Sequence, residues 1–327
     1  MTHVPQEIAR SLWYVAPGRA EIREERLPVL AADALRVRAL YSGISRGTEA
    51  LVQAGCVPQS EHERMRCPAM DGRFPFPVKY GYAMVGRIEA GPADGIGRVV
   101  FALHPHQDVF DAAPDAVLPV PEDVAPRRAV LAANMETALN ALWDSGAGPA
   151  DRIAIVGAGV VGALVGYLCG RLPGAKVTLV DTNPARENLS SAFGIKFATP
   201  ETIPHDCDLV FHASGSAAGL AGAIAAAGNE ATIVELSWYG NGSTELALGG
   251  AFHSRRLKLI ASQGGQVSPS RRSRWSQRRR LAAALALLSD PALDVLLAPP
   301  VAFGDLPARL PDILAPRSGV LCQLVNY

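Results

Sequence analysis

Cysteine is scarce and unpatterned in this chain: five residues lie at 56, 67, 169, 207 and 322, with no Cys-x-x-Cys pair and no group of four. A disulfide framework and a structural zinc lobe both need closely spaced thiols, so neither is indicated. Charge has no preferred sign either. The 31 basic and 31 acidic side chains give a formal net charge of zero, so no global field attracts nucleic acid or an anionic membrane. The long uncharged run 153–170 is broken by glycines and reads as a strand, a turn and a helix rather than a membrane span. Met1-Thr-His-Val-Pro-Gln-Glu7 lacks the basic and apolar regions of a signal peptide, and a cytoplasmic protein is expected. No repeat or low-complexity segment stands out. There remain 327 residues, 49% of them hydrophobic, enough for a large core and two domains.

The most informative stretch is Ile153-Ala-Ile-Val-Gly-Ala-Gly-Val-Val-Gly-Ala-Leu164, followed by Lys176-Val-Thr-Leu-Val-Asp181. The run 153–156 reads as a buried parallel strand entering a tight turn at Gly157. Gly159 lets the backbone approach a pyrophosphate, and Gly162 lets the next helix pack on the strand. That helix, 160–169, would aim the amides of its first turn, Val160 and Val161 included, at the phosphates. Asp181 follows the second strand at the spacing of a ribose-binding carboxylate, and its charge would repel a 2′-phosphate. NAD(H) is therefore expected over NADP(H). An ordinary βαβ crossover without a ligand is the plain alternative.

Residues 12–125 carry short β-like runs broken by Pro and Gly, whereas 150–240 alternate strands with Ala-rich helices. A strand is expected at 209–212, an Ala-rich helix to 227, and a strand at 231–236. In a doubly wound sheet such strand ends face the cofactor, which adds Ser214 to the binding set.

Taken together, Leu27-Pro28, Val37-Arg-Ala-Leu-Tyr-Ser-Gly-Ile-Ser-Arg-Gly-Thr-Glu49, Phe76-Pro-Val-Lys-Tyr-Gly-Tyr-Ala-Met-Val-Gly86, Gly97-Arg-Val-Val-Phe101, Glu136-Thr-Ala138 and the fingerprint carry a resemblance to the medium-chain dehydrogenase/reductase superfamily, of the zinc-type alcohol dehydrogenase kind. The resemblance implies an α/β fold, with a GroES-like β-rich catalytic domain (1–125), a Rossmann doubly wound parallel sheet (126–265) and a C-terminal return to the catalytic domain (266–327). It also implies a small-molecule alcohol or carbonyl substrate, adenosine-ribose contact by Arg186, a cofactor contact by Thr137, and a homodimer formed through the Rossmann sheet edge. The Ser-Gly-Ile-Ser-x-Gly-Thr-Glu string looks like the zinc-less bacteriochlorophyllide dehydrogenase branch in particular.

The departures from the zinc pattern are informative. Ser45 stands where the resemblance places a thiolate, Tyr82 where it places a histidine, Ala83 where it places a glutamate, and the third ligand falls near Ala133. A hydroxyl, a phenol and a methyl group do not hold zinc at neutral pH. No catalytic or structural zinc is expected. Something else must then handle the hydroxyl proton or the developing alkoxide, and Tyr82, Ser45, Thr48, Glu49 and Lys79 are the candidates. Tyr82 is preferred as acid or hydrogen-bond donor, against the reading that it fills the vacated metal cavity. Glu49 is a base, a loop brace, or a partner of Arg46.

His104 and His106, two apart on an expected strand, would face one way but lack an acidic or cysteine partner, so a substrate-lining or surface role is preferred to metal. His212 ends a core strand and approaches the cofactor or is a satisfied core histidine; Trp238 and Tyr239 line the nicotinamide pocket or fill the core. Six arginines in 271–280, just before an expected helix at 281–288, read first as a solvated or oligomer-edge face. An anionic substrate comes next, and RNA with Trp275 stacking is disfavoured. The composite expectation is a zinc-independent NAD(H) oxidoreductase interconverting an alcohol, preferably secondary, with its ketone or aldehyde. The alternatives are an NAD(P)H-dependent quinone or enone C=C reductase, and a catalytically silent NAD(H)-binding sensor or RNA-binding protein.

Overall fold

The computed structural model describes residues 7–327; residues 1–6, read above for a targeting signal, lie outside the described residues. The chain forms two compact units, Met1–Ala133 with Leu297–Tyr327, and Asn134–Leu296. No helix among the described residues is long and apolar enough to cross a membrane.

In the first unit, alternation of apolar and polar residues makes half-buried strands. Along Leu35–Ser45, Leu35, Val37 and Ala39 turn inward between more exposed neighbours. This strand pairs antiparallel with Met84–Ala90, Val109–Ala112 and the C-terminal strand Cys322–Asn326. The sheet extends to Val99–Ala102 and Val117–Pro119 on one side and to Leu297–Ala302 on the other. Met84, Ile88, Val100, Phe110 and Val117 close its core. A smaller sheet joins Arg19–Arg26, Ile8–Ala16, Val78–Lys79 and Asp71–Gly72. This is the expected GroES-like β-rich layout.

In the second unit, six parallel strands lie in the order Lys196–Ala198, Lys176–Val180, Arg152–Val156, Cys207–His212, Ala227–Glu235, Lys258–Ala261. The order reverses between the third and fourth, which are the first and fourth strands of this sheet along the chain. This is the topological switch point of a Rossmann sheet, where ligands sit outside the carboxyl ends of the strands. Buried on both faces, the central strands are continuous apolar runs, as the fingerprint strand predicted.

The second unit is longer than the sequence-based limits 126–265. Residues 266–296 stay with it, and the return to the first unit begins at Leu297. One buried side chain helps hold them there. Arg280, 1% exposed, donates from Nε to Glu136 Oε1 (3.0 Å), from Nη1 to Asn140 Oδ1 (2.5 Å) and the Gln266 carbonyl (2.8 Å), and from Nη2 to the Gly264 carbonyl. The basic segment is therefore not uniformly a solvated face: its last arginine is a core anchor. The helix here is Gln277–Ala286, starting before the expected 281, because the Ser276 hydroxyl caps it by accepting from Arg279 N (3.1 Å). Arg280→Ala would leave Glu136 buried without its cation, and we expect a loss of about 3–5 kcal/mol in urea unfolding.

Candidate functional site

In the second unit, the loop after Arg152–Val156 is held by glycine geometry. Gly157 has φ of +107°, and a Cβ there would meet Ser214 N at 2.6 Å; a Cβ on Gly162 would overlap the Gly157 carbonyl. Both positions need glycine, one for conformation and one for close passage. Gly159 is different. It is exposed, and a Cβ there meets nothing within 4 Å, so its surroundings are open space. The helix Val160–Cys169 that follows has no side-chain cap, which leaves the first-turn amides of Val160, Val161 and Gly162 without acceptors in the helix. Unpaired amides at the positive end of a helix, beside open space, suit a pyrophosphate.

Asp181 lies at the end of the neighbouring strand Lys176–Val180. Its Oδ2 accepts from Ala158 N (2.7 Å) and its Oδ1 from Asn183 N (2.8 Å). The carboxylate thus ties down the glycine loop and keeps a further lone pair on each oxygen for a hydroxyl donor. Arg186 ends the turn Pro184–Arg186, half-buried, its pKa lowered by burial against the opposing charge of Asp181. Thr137 lies on the Ala132–Ser145 helix, where its Oγ1 is 2.8 Å from the Cβ position of Gly264.

At the carboxyl ends of Cys207–His212 and Ala227–Glu235 lies a polar chain. His212, fully buried, bonds through Nδ1 to Glu235 Oε2 (2.8 Å) and through Nε2 to Ser214 Oγ (2.7 Å). Glu235 also accepts from Ser237 N (2.7 Å) and from the Tyr239 hydroxyl (3.2 Å). Burial opposes the charge on Glu235, but the bonds from His212 and Ser237 outweigh it and hold its pKa below the usual carboxylate range. Burial and that carboxylate push the Tyr239 phenol up to about 12. His212 is therefore a hydrogen-bonded core histidine, while Ser214 is exposed. Trp238 and Tyr239 are half-buried.

In the first unit, Tyr82 is hydrogen-bonded by the Ser45 and Thr48 hydroxyls. Burial, then the Glu49 charge, push its phenol above the ordinary value, so it remains a proton-bearing donor. Gly81 precedes it with φ of +130°, and a side chain there would also strike the His106 ring at 2.8 Å. Glu49, 1% exposed, accepts from Tyr14 OH (2.7 Å), His106 Nε2 (3.1 Å) and Ser45 N (2.8 Å). His106 Nδ1 faces Ser42 Oγ (2.8 Å), which in turn meets the hydroxyl of the last residue, Tyr327 (2.9 Å). Nothing in the sequence pattern marked Tyr14, Ser42 or Tyr327 as part of this cluster.

Several sequence expectations change here. Glu49 braces this buried cluster, and Arg46 instead donates to the carbonyls of Ile313 (2.9 Å), Ala315 (2.7 Å) and Val320 (2.6 Å). Lys79 is 7% exposed and bonds to Glu25 (3.0 Å) and Gln107 (3.3 Å), a structural pair. His104 and His106 share no strand face, because the chain there is irregular: His104 stacks on Phe110 at 3.8 Å while His106 joins Glu49. Ser45 and Tyr82 supply only hydroxyl and phenol oxygens and bond to each other, a poor donor set for zinc.

No family model matches the chain, and no curated protein does. Solved structures do match over nearly the whole chain, and they share its fold. One is a Sinorhizobium meliloti 1021 protein assigned to the zinc-binding dehydrogenases and bound to NADP, 17% identical, TM-score 0.79, covering 98% of this chain and 100% of that one. Another is L-idonate 5-dehydrogenase of Escherichia coli, 13% identical, TM-score 0.80, covering 99% of both chains. A third is an alcohol dehydrogenase of Escherichia coli CFT073 complexed with NADH, 15% identical, TM-score 0.76, covering 98% and 99%. The architecture is thus that of a Rossmann domain joined to a GroES-like domain.

Burial, then proximity to Lys79 and His106, pull His104 from 6.5 down to about 3, although its bond to the Pro105 carbonyl opposes this. The folded ring stays neutral where the unfolded ring takes a proton. Its stability contribution is full above about pH 6.5 and is lost as pH falls toward 3, at about 1.4 kcal/mol per pH unit. Urea unfolding of His104→Phe should lack this share of the acid slope; an unchanged slope would mean the ring already carries its proton.

Proposed function

We propose that the protein is an NAD(H)-dependent oxidoreductase that interconverts an alcohol, preferably secondary, with its ketone or aldehyde, and does so without zinc. The observation that carries this reading is the cradle in the second unit: open space at Gly159, unpaired amides of Val160 and Val161 behind it, and the Asp181 carboxylate beside it. The cofactor supplies hydride acceptance or donation when bound. The amides would hold its pyrophosphate and Asp181 an adenosine ribose hydroxyl, with Arg186 alongside. A carboxylate at this position disfavours a 2′-phosphate, which supports NAD(H) over NADP(H) and weighs against a typical NADPH-dependent C=C reductase.

Tyr82 is the group proposed to act on the substrate oxygen. Its raised pKa keeps it protonated, so it donates a hydrogen bond where negative charge develops as a carbonyl becomes an alkoxide. Ser45 and Thr48 fix the phenol and relay its proton, while Glu49 and His106 brace the loop that carries them. The chemistry of Ser45 and Tyr82 supports zinc independence. Metal analysis of purified protein should find well below one zinc per chain, and stoichiometric zinc would overturn that part of the reading.

Fluorescence titration should give tighter binding of NADH than of NADPH. Asp181→Ser should weaken NADH binding by about 1.5–3 kcal/mol, the worth of a hydrogen bond to a charged group, and narrow the preference; equal affinities in the unaltered protein would sink the assignment. For turnover of cyclic and aryl ketones, Tyr82→Phe should lower kcat by about 100-fold or more while leaving NADH affinity intact.

A further inference from the structure

We propose that Ser214 is a nucleophile, with His212 as its general base and Glu235 as the orienting carboxylate, forming an acyl-transfer centre for carboxylic esters. His212 and Glu235 end two adjacent parallel strands whose register sets them side by side, and Ser214 lies two residues past the end of the first. Glu235 can only accept hydrogen bonds, and both its oxygens lie on His212 Nδ1, at 2.8 and 3.0 Å. The Nδ1 position therefore carries the proton, and Nε2 turns its lone pair to Ser214 Oγ at 2.7 Å. Hydroxyl to imidazole to carboxylate, in that order of donation, is the arrangement by which a serine is activated irrespective of fold or chain order.

The surroundings fit the same role. His212 is fully buried and its carboxylate partner is further fixed by Ser237 N and the Tyr239 hydroxyl, so the base cannot rotate away. Ser214 is exposed and follows the strand end directly. Gly219 leaves bare the face of the helix Ala217–Ala226 against this centre: a Cβ there would reach His212 Nε2 at 2.9 Å and overlap Ser214 Oγ. Ser216 caps the helix through Gly219 N (3.0 Å), and its own N–H lies 3.3 Å from Ser214 Oγ. The next amides, Ala217 and Ala218, have no acceptor within the helix and are donors for a developing oxyanion.

In the reaction, the Ser214 proton passes to His212 Nε2 as Oγ bonds to the ester carbonyl carbon. The tetrahedral species collapses, the carbon–alkoxy bond breaks, and the departing alcohol takes that proton from Nε2. Water repeats the sequence on the acyl-serine, releasing the acid and restoring Ser214. No oxidant or metal is consumed, and no step draws on the chemistry of a dinucleotide.

The test is to incubate the full chain with a fluorophosphonate, which phosphonylates activated serines with loss of fluoride, and to map the adduct by peptide mass spectrometry. We expect one adduct, on Ser214, and a matching burst of p-nitrophenol from p-nitrophenyl acetate. Ser214→Ala, a single-atom deletion at an exposed site, should abolish both. Glu235→Gln, with Ser214 intact, should slow labelling at least about tenfold, since the imidazole tautomer is no longer fixed. No adduct in the unaltered protein, or equal labelling in Ser214→Ala, would overturn the proposal, whereas an unchanged rate in Glu235→Gln would remove the carboxylate from it. NADH titration of the same sample keeps the two readings apart, because binding without labelling would refute only the serine centre.

Discussion

The Gly157 carbonyl lies where Gly162 would carry a side chain, and much of the second unit follows from that close passage. Because the helix can start so near the strand, its unpaired amides open at the carboxyl edge of the sheet, at the point where strand order reverses. Asp181 then reaches the Ala158 amide, and the Ser214 backbone lies against Gly157. A single methyl group at either glycine would separate these parts. The cradle is thus a consequence of missing atoms as much as of present ones.

Each unit also contains a buried charged side chain whose hydrogen bonds gather several neighbours. Arg280 gathers the Ala132–Ser145 helix and the segment around 264–266 to itself, and Glu49 gathers Tyr14, Ser45 and His106. Such groups add little net stability over apolar replacements, but they are costly to leave half-paired, so they specify one arrangement. In the first unit that arrangement presents Tyr82 as a protonated phenol against two hydroxyls.

The fingerprint was legible because its logic is local. Strand, turn, helix and acid lie within 29 positions, and each residue type is fixed by backbone sterics or by a helix terminus, so spacing alone conveys geometry. The parallel strands and the β-rich first unit were legible for a similar reason, through apolar runs in one and alternation in the other. The His104-Pro-His106 reading failed because periodicity says nothing about irregular chain: one imidazole became a stacked core group and the other a carboxylate partner. Arginines 271–280 read as one surface feature, yet the fold puts the last of them in the core.

By itself, then, the sequence determined a two-part architecture and the glycine loop with its acid at a fixed spacing. Only the tertiary structure decided which polar groups meet. Ser42 bonds to Tyr327 across 285 positions and Arg280 to Glu136 across 144, and His212 finds Glu235 through strand register. Burial makes those pairings obligatory, since a polar group removed from water must find a partner, while composition and spacing leave the choice of partner open.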